Sequence, residues 1–396
     1  MSDSISIPTA VHFHPDTLYR TPAKGDNWCL TWAGDDSQIT SMDDGDWLES
    51  RRGGPNRRGF HNRLYRITGE RDGFERHELT GYPDFAGPEG SWFGYGVVAV
   101  EGVLYSVVSR TPGDAWSGPF RGIKLLKSTD DGRSWSRVDR HGDERPLAPD
   151  DAARNLDDAD EMFWLEEHGQ AHVEQPAYPF SFVDFVQHGR DNAEARDEYL
   201  YIYSPEGARA HELLLARVHK DRLGERAAWQ YYTGLSEGAP AWSDDIARRR
   251  PVMRFPEANG AGEAFGWYSW LPSVVWNEGL GVYVMANGGT YAGRGLSSAD
   301  EDYYDNWMHT KTGSLGLWWA RDPWGPWNEI FYTDYWTADD PANLTYQPKL
   351  SPKWISDDGR RMVLVWSDAM RDAEGRSHTV NYTWNQMEIS FDVSRG

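Results

Sequence analysis

Short apolar and aromatic runs recur along the chain with turn signals between them, the pattern of many short antiparallel strands. The stretch 92–110, WFGYGVVAVEGVLYSVVSR, breaks at Glu101-Gly102 into two strands; 198–204 and 213–220 form the next pair, and 267–289 breaks at Asn277-Glu278-Gly279. Two further pairs fall in 314–330 and 351–368. Pairs therefore recur every 60–80 residues or so, about one four-stranded sheet with its loops. With 40 Gly and 22 Pro, long helices are excluded. The pattern predicts an all-β chain, a β-propeller of five blades, in which the first and last strands share a blade; six or seven blades, or a β-sandwich, are the competing readings.

One local motif sharpens this prediction. Ser128, Asp130, Gly132, Ser134 and Trp135 fit the Asp-box pattern S-x-D-x-G-x-S/T-W, a hairpin turn tied by side chains over a Trp, and Ser356-Asp357-Asp358-Gly359 is a partial echo. Two stretches break the strand pattern, the charged and Pro-containing 139–180 and the Tyr- and Trp-bearing 291–312. Excursions of that length in a compact domain are functional or disordered more often than neutral, and both are expected to cover one face. No linker divides the chain, so 1–396 reads as one domain with a core at about 25–392.

Composition and charge then remove whole classes. A formal charge of −22 repels nucleic acid and anionic membranes. No stretch approaches the roughly 20 apolar residues of a membrane span. The same charge repels itself, so the melting temperature should rise between low and molar NaCl as salt screens it, and a flat or falling profile would count against this. Cys29 is the only cysteine and lies between Trp28 and Leu30, which reads as a buried strand position without disulfide or thiolate metal chemistry. The N-terminal MSDSISIPTAVHFHP lacks the basic start and apolar core of a secretion signal, so the expected compartment is the cytoplasm unless an export signal precedes it. The chain contains no P-loop, dinucleotide G-x-G-x-x-G, H-E-x-x-H or G-x-S-x-G motif, and His168 with His172 is the one i,i+4 His pair, in an acidic stretch. No cofactor is required by any motif; Ca²⁺ in an axial channel would suit the carboxylates, but no ligand spacing specifies it.

Candidate chemistry centres on 28–46, WCLTWAGDDSQITSMDDGD, where Asp35 and Asp36 are followed by Asp43, Asp44 and Asp46. Two facing carboxylates are the minimum for glycoside hydrolysis, and a hairpin is expected to bring the two clusters to one rim. The bland alternative is solvated turn residues. Trp92, Tyr95, Trp267, Tyr268 and Trp270 sit at strand starts, where sugar rings could stack on them, although each is more often core. Arg196 and Asp197 precede a strand and are candidates for sugar hydroxyls or for an ion pair between blades; His188 lies in the loop before them.

The runs W-A-G-D-D-S through M-D-D-G, A-R-D-E-Y-L-Y-I-Y-S, L-A-R-V-H-K-D-R, A-W-S-D-D-I-A-R-R-R-P-V, A-R-D-P-W-G-P-W and P-K-W-I-S-D-D-G-R-R-M, in order over residues 25–370, resemble a propeller family that includes bacterial endo-D-arabinanases acting on mycobacterial arabinan. The resemblance implies a five-bladed propeller that cleaves a glycan. Family members commonly read W-A-D-D-G and G-D-G at two acidic sites, which here places the catalytic carboxylates at Asp35 and Asp44, with Asp36 and Asp46 as substitutes. The chain departs from that pattern at Gly34 and Asp43. Two other functions stay open: a polysaccharide lyase, in which His61, His188 or Tyr199 abstracts a proton and Arg196 neutralises a uronate, and a non-catalytic glycan-binding propeller.

Overall fold

The computed structural model describes residues 5–21, 24–47, 62–83, 86–87, 90–110, 122–147, 162–166, 178–206, 209–258, 260, 262–265, 271–288, 291–294, 313–339, 343–371, 377–378 and 383–396. Five antiparallel sheets stand in a ring, each inner strand touching the inner strands on either side. Blade 1 comprises, from the axis outward, Leu30–Trp32, Gln38–Asp46, Arg63–Thr68 and Glu75–Glu78, with Lys24–Asp26 extending its inner edge. Blade 2 comprises Gly90–Val100, Val103–Arg110, Ile123–Ser128 and Ser136–Val138, plus Glu144–Pro146. Blade 3 runs Asp184–Phe185, Tyr199–Glu206, Arg209–His219, Gln230–Ser236 and Ala239–Ser243. Blade 4 runs Ser273–Asn277, Val282–Asn287, Leu315–Ala320 and Asn328–Thr333.

Blade 5 closes the ring. Asn343–Ile355, Arg361–Arg371 and Asn385–Arg395 come from the end of the chain, and Ser6–Phe13 from its beginning adds the fourth strand. The five-bladed all-β architecture is thus the one the strand pairs predict. The excursion 139–180 contributes Glu144–Pro146 and a bridge from Trp164 to Ile123, while 148–161 and 167–177 lie outside the described residues. Of 291–312, only Tyr291–Arg294 is described.

Packing explains why strict alternation of apolar and polar residues is lost near the axis. A blade is covered on both faces by its neighbours, so Ser273–Asn277 and Val282–Asn287 are buried at every position, whereas the peripheral Glu75–Glu78 alternates exposed and half-buried. Between blades 1 and 5 the layer is largely tryptophan: Trp47 stacks on Trp384 at 5.1 Å and packs at 4.9 Å from Trp28. In the Asp-box turn, Asp130 accepts the Ser134 N–H at 2.9 Å and its hydroxyl at 2.7 Å, and Trp135 donates its indole N–H to the Gly132 carbonyl.

The ring has two unlike faces. Inner strands turn into second strands on one, the turn face, where Glu101 and Gly102 take φ of 50° and 78°, as a two-residue turn matched to strand twist requires. Inner strands begin and second strands end on the other, the entry face. Asp191 accepts the Gly102 N–H at 2.9 Å, Arg190 reaches the Gly34 carbonyl, and Lys353 binds Asp36 at 3.0 Å, so the turn face is braced across four blades.

Candidate active site

Hairpin geometry separates the two acidic clusters instead of joining them. Pairs Leu30↔Thr40, Thr31↔Ile39 and Trp32↔Gln38 centre the turn on residue 35, which puts Asp35 and Asp36 on the turn face. Asp44 and Asp46 lie at the other end of the strand Gln38–Asp46. Six residues of extended strand span roughly 20 Å, twice the separation that any glycosidase pair uses. One bond cannot lie between Asp35 and Asp44, which corrects the expectation that the clusters share a rim.

Each turn-face residue is already engaged. Asp35 is half exposed, accepts the Ser37 N–H and hydroxyl, and pairs with Arg66; against the cost of partial burial, these contacts hold its carboxyl below the ordinary range. Asp36 accepts the Trp32 indole N–H at 3.0 Å and the Lys353 ammonium. His188 is buried, with Nδ1 3.1 Å from Asn192 Oδ1 and Nε2 3.1 Å from Tyr283 Oη, and burial pushes its pKa down to about 4. Arg196 donates to the Arg321 carbonyl at 2.8 Å and lies over Trp276, tying blade 3 to blade 4. Asp197 accepts from the Tyr199 N–H and the Tyr201 hydroxyl. In these contacts Arg196 acts as a blade brace and Asp197 as the tie of a strand-start turn.

The aromatic expectations change as well. Trp92 is fully buried with the Lys124 ammonium 4.9 Å from its ring centre, and Tyr95 is buried edge-on against Phe182 at 4.4 Å. Both are packing residues between blades, closed to a sugar ring. Trp267, Tyr268 and Trp270 lie outside the described residues, as do His61, His168 and His172.

A different set of groups meets on the entry face. Asp26, at the start of the inner edge of blade 1, stands directly across the strand pair from Asp43, while Lys24 stands across from the half-buried Asp46. Asp44 lies between these two pairs. Side chains directly opposite in an antiparallel pair share a face, with Cβ atoms about 4.5–5.5 Å apart. Tyr346, on the inner strand of blade 5, donates its hydroxyl to Asp26 Oδ2 at 2.5 Å. Asp43 is used internally: it accepts the Gly94 N–H at 2.6 Å and the Asn27 amide at 3.2 Å, latching blade 1 to blade 2.

The channel beneath is polar. Lys349, wholly buried, donates to the Leu271 carbonyl at 3.1 Å and sits 3.5 Å from Asp184 Oδ2. Burial pushes the Asp184 carboxyl up against the pull of Lys349, and burial beside Asp184 pushes the Cys29 thiol up. At the rim, Asp368 accepts from the Thr345 hydroxyl and the Trp366 indole N–H, both at 2.9 Å, with Arg20 3.8 Å away; burial pushes its pKa up to about 7. Among the described residues no three His, Cys, Asp or Glu side chains converge as metal ligands, and no helix is long and apolar enough to cross a membrane.

Asp26, Asp184, Tyr346 and Lys349 drew no notice in the sequence. Reflection about the turn would have found the first, since a residue nine positions before the centre at 35 falls opposite the second acidic cluster, where it pairs with Asp43.

No family profile and no curated protein matches the sequence. Among solved structures, a candidate hydrolase from Bacteroides ovatus ATCC 8483 is similar over 98% of this chain and 94% of its own at 12% identity, with a TM-score of 0.52. The catalytic domain of the Coprinopsis cinerea GH62 alpha-L-arabinofuranosidase covers 99% of this chain and 98% of its own at 8% identity, with a TM-score of 0.43. A glycosyl hydrolase from Bacteroides ovatus covers 98% and 93% at 10% identity, with a TM-score of 0.44. At these identities the likeness, carried by the first of the three, is one of fold.

Proposed function

We propose that the chain is a glycoside hydrolase of arabinan-type glycans in which Asp26 and Asp44 are the reacting carboxylates. The observation that carries this reading is Asp26: a buried carboxylate at the entry end of the axis, held by a hydroxyl from the neighbouring blade, across from the acidic end of the second strand. The fold shared with a candidate hydrolase supports hydrolysis, and the sequence resemblance to endo-D-arabinanases suggests the substrate class.

Asp26, fixed by the Tyr346 hydroxyl, takes the role of attacking carboxylate. In this reading an Asp26 oxygen bonds to the anomeric carbon as the glycosidic C–O bond breaks, and Asp44 delivers its proton to the leaving oxygen. Water then releases the sugar and returns a proton to Asp44. The register sets Asp43, not Asp44, directly across from Asp26, so retention or inversion is to be read from the anomeric form of the first product. Asp43, with both oxygens engaged in the latch, is left as structure. β-Elimination draws less support: His188 is buried and neutral on the turn face, and Tyr199 faces the Arg217 guanidinium at 4.0 Å.

The test is a panel of D-arabinan, other neutral glycans and uronate-containing glycans, read by reducing ends and near-ultraviolet absorbance. New reducing ends without absorbance are expected from D-arabinan. Absorbance from a uronate glycan would establish the lyase instead, and saturable binding with neither signal would establish a binding propeller.

A further inference from the structure

Among the described residues, Gln347 is a left-handed residue near the channel whose side-chain oxygen has no partner. Elsewhere such backbone is explained: Asn27 (φ 56°) places its amide on Asp43 and the Gly94 carbonyl, and Asp191 (φ 54°) caps the Gly102 N–H. Gln347 also takes φ 54°, yet it precedes Pro348, and residues before proline are held to extended backbone. Left-handed backbone at a non-glycine residue is costly and persists where the surroundings impose it, often at active sites and ligand clamps.

The surroundings here form a bulge. The inner strand of blade 5 slips register between Tyr346, opposite Ser367, and Lys349, opposite Val365, so an extra residue is inserted at Gln347-Pro348. Bulges of this kind re-aim side chains beside active sites. Gln347 is 3% exposed, and its Oε1 is buried with no hydrogen-bond partner among the described residues. An amide oxygen buried in that state is costly unless something else fills it. Its sequence neighbour Tyr346 holds Asp26, and Lys349, two residues on, holds Asp184.

Resting on the hydrolase reading, we infer that Gln347 is a substrate-binding residue whose amide oxygen accepts a hydrogen bond from a sugar hydroxyl beside the bond being cut. Strain and an unpaired acceptor are kept in the free protein because the bound glycan satisfies them.

Gln347→Asn and Gln347→Gly test this, since both residues tolerate left-handed backbone and both withdraw the acceptor. With D-arabinan as substrate, KM should rise roughly five- to tenfold with little change in kcat, the effect of one lost hydrogen bond. The melting temperature without glycan should hold or rise by about 1–2 °C as strain is relieved. A fall of several degrees with unchanged kinetic constants would show Gln347 to be a packing residue and overturn the inference. Wild-type chain that neither cuts D-arabinan nor is stabilised by it would overturn the hydrolase reading together with this one. Cutting by wild type and by Gln347→Asn at equal KM would overturn this one alone.

Discussion

Replacement of Asp26 by Asn should lower turnover on D-arabinan by about two to four orders of magnitude while the propeller stays folded. Asn keeps the shape and an oxygen to accept the Tyr346 hydroxyl, so the brace between blades 1 and 5 survives; only the negative oxygen needed for attack is lost. Asp44→Asn should fall by a similar factor, because it removes the proton donor. Asp35→Asn is the control: its carboxylate sits on the turn face with Ser37 and Arg66, and its loss should leave kcat/KM within about twofold. Melting curves of all three variants separate lost chemistry from lost folding. Full activity in Asp26→Asn together with a collapse in Asp35→Asn would return the reacting pair to the turn face.

The contrast between those two aspartates shows what the sequence carries. Strand pairs, turn residues and the Asp box at 128–135 are local, and they suffice for an all-β ring of five blades closed by both ends of the chain. The inner strand of blade 3 is less legible, since Asp184–Phe185 is two residues long and follows the irregular stretch. Side-chain exposure is harder still. A strand start normally meets solvent, yet Trp92 and Tyr95 are buried because each blade lies between two others, so aromatic residues near the axis report packing more than ligand contact. The entry-face cluster is non-local: Tyr346 and Asp26 are 320 positions apart and meet only when the last blade closes on the first. Local spacing could propose Asp44 but could not supply its partner, because the turn in the middle of 28–46 puts Asp35 and Asp36 on one face and Asp44, with both ends of the segment, on the other.

Stability should depend on pH through Asp368, and Asp368→Asn should remove that dependence. Its folded pKa of about 7 lies above the ordinary carboxyl value of 3.8, with burial as the main cause and Thr345, Arg20 and Trp366 acting in the opposite direction. The folded state therefore binds the proton more tightly than the unfolded chain, and stability falls as pH rises from about 4 to about 7. A difference of about three pH units corresponds to roughly 4 kcal/mol, fully felt above pH 7, which for a chain of this size is on the order of 5 °C in melting temperature. Self-repulsion at −22 acts in the same direction, so the diagnostic quantity is the gap between variant and wild type. Asn can still accept from Thr345 and Trp366 without ionising. The gap should be small at pH 4–5 and widen in favour of Asp368→Asn towards pH 8. Wild type more stable than the variant at pH 8 would mean that Arg20, 3.8 Å away and shared with Asp339, outweighs burial and holds the carboxylate ionised. Because Thr345 is the neighbour of Tyr346, ionisation of Asp368 also brings negative charge towards the residue that holds Asp26, and the pH at which stability is lost should mark a change in turnover as well.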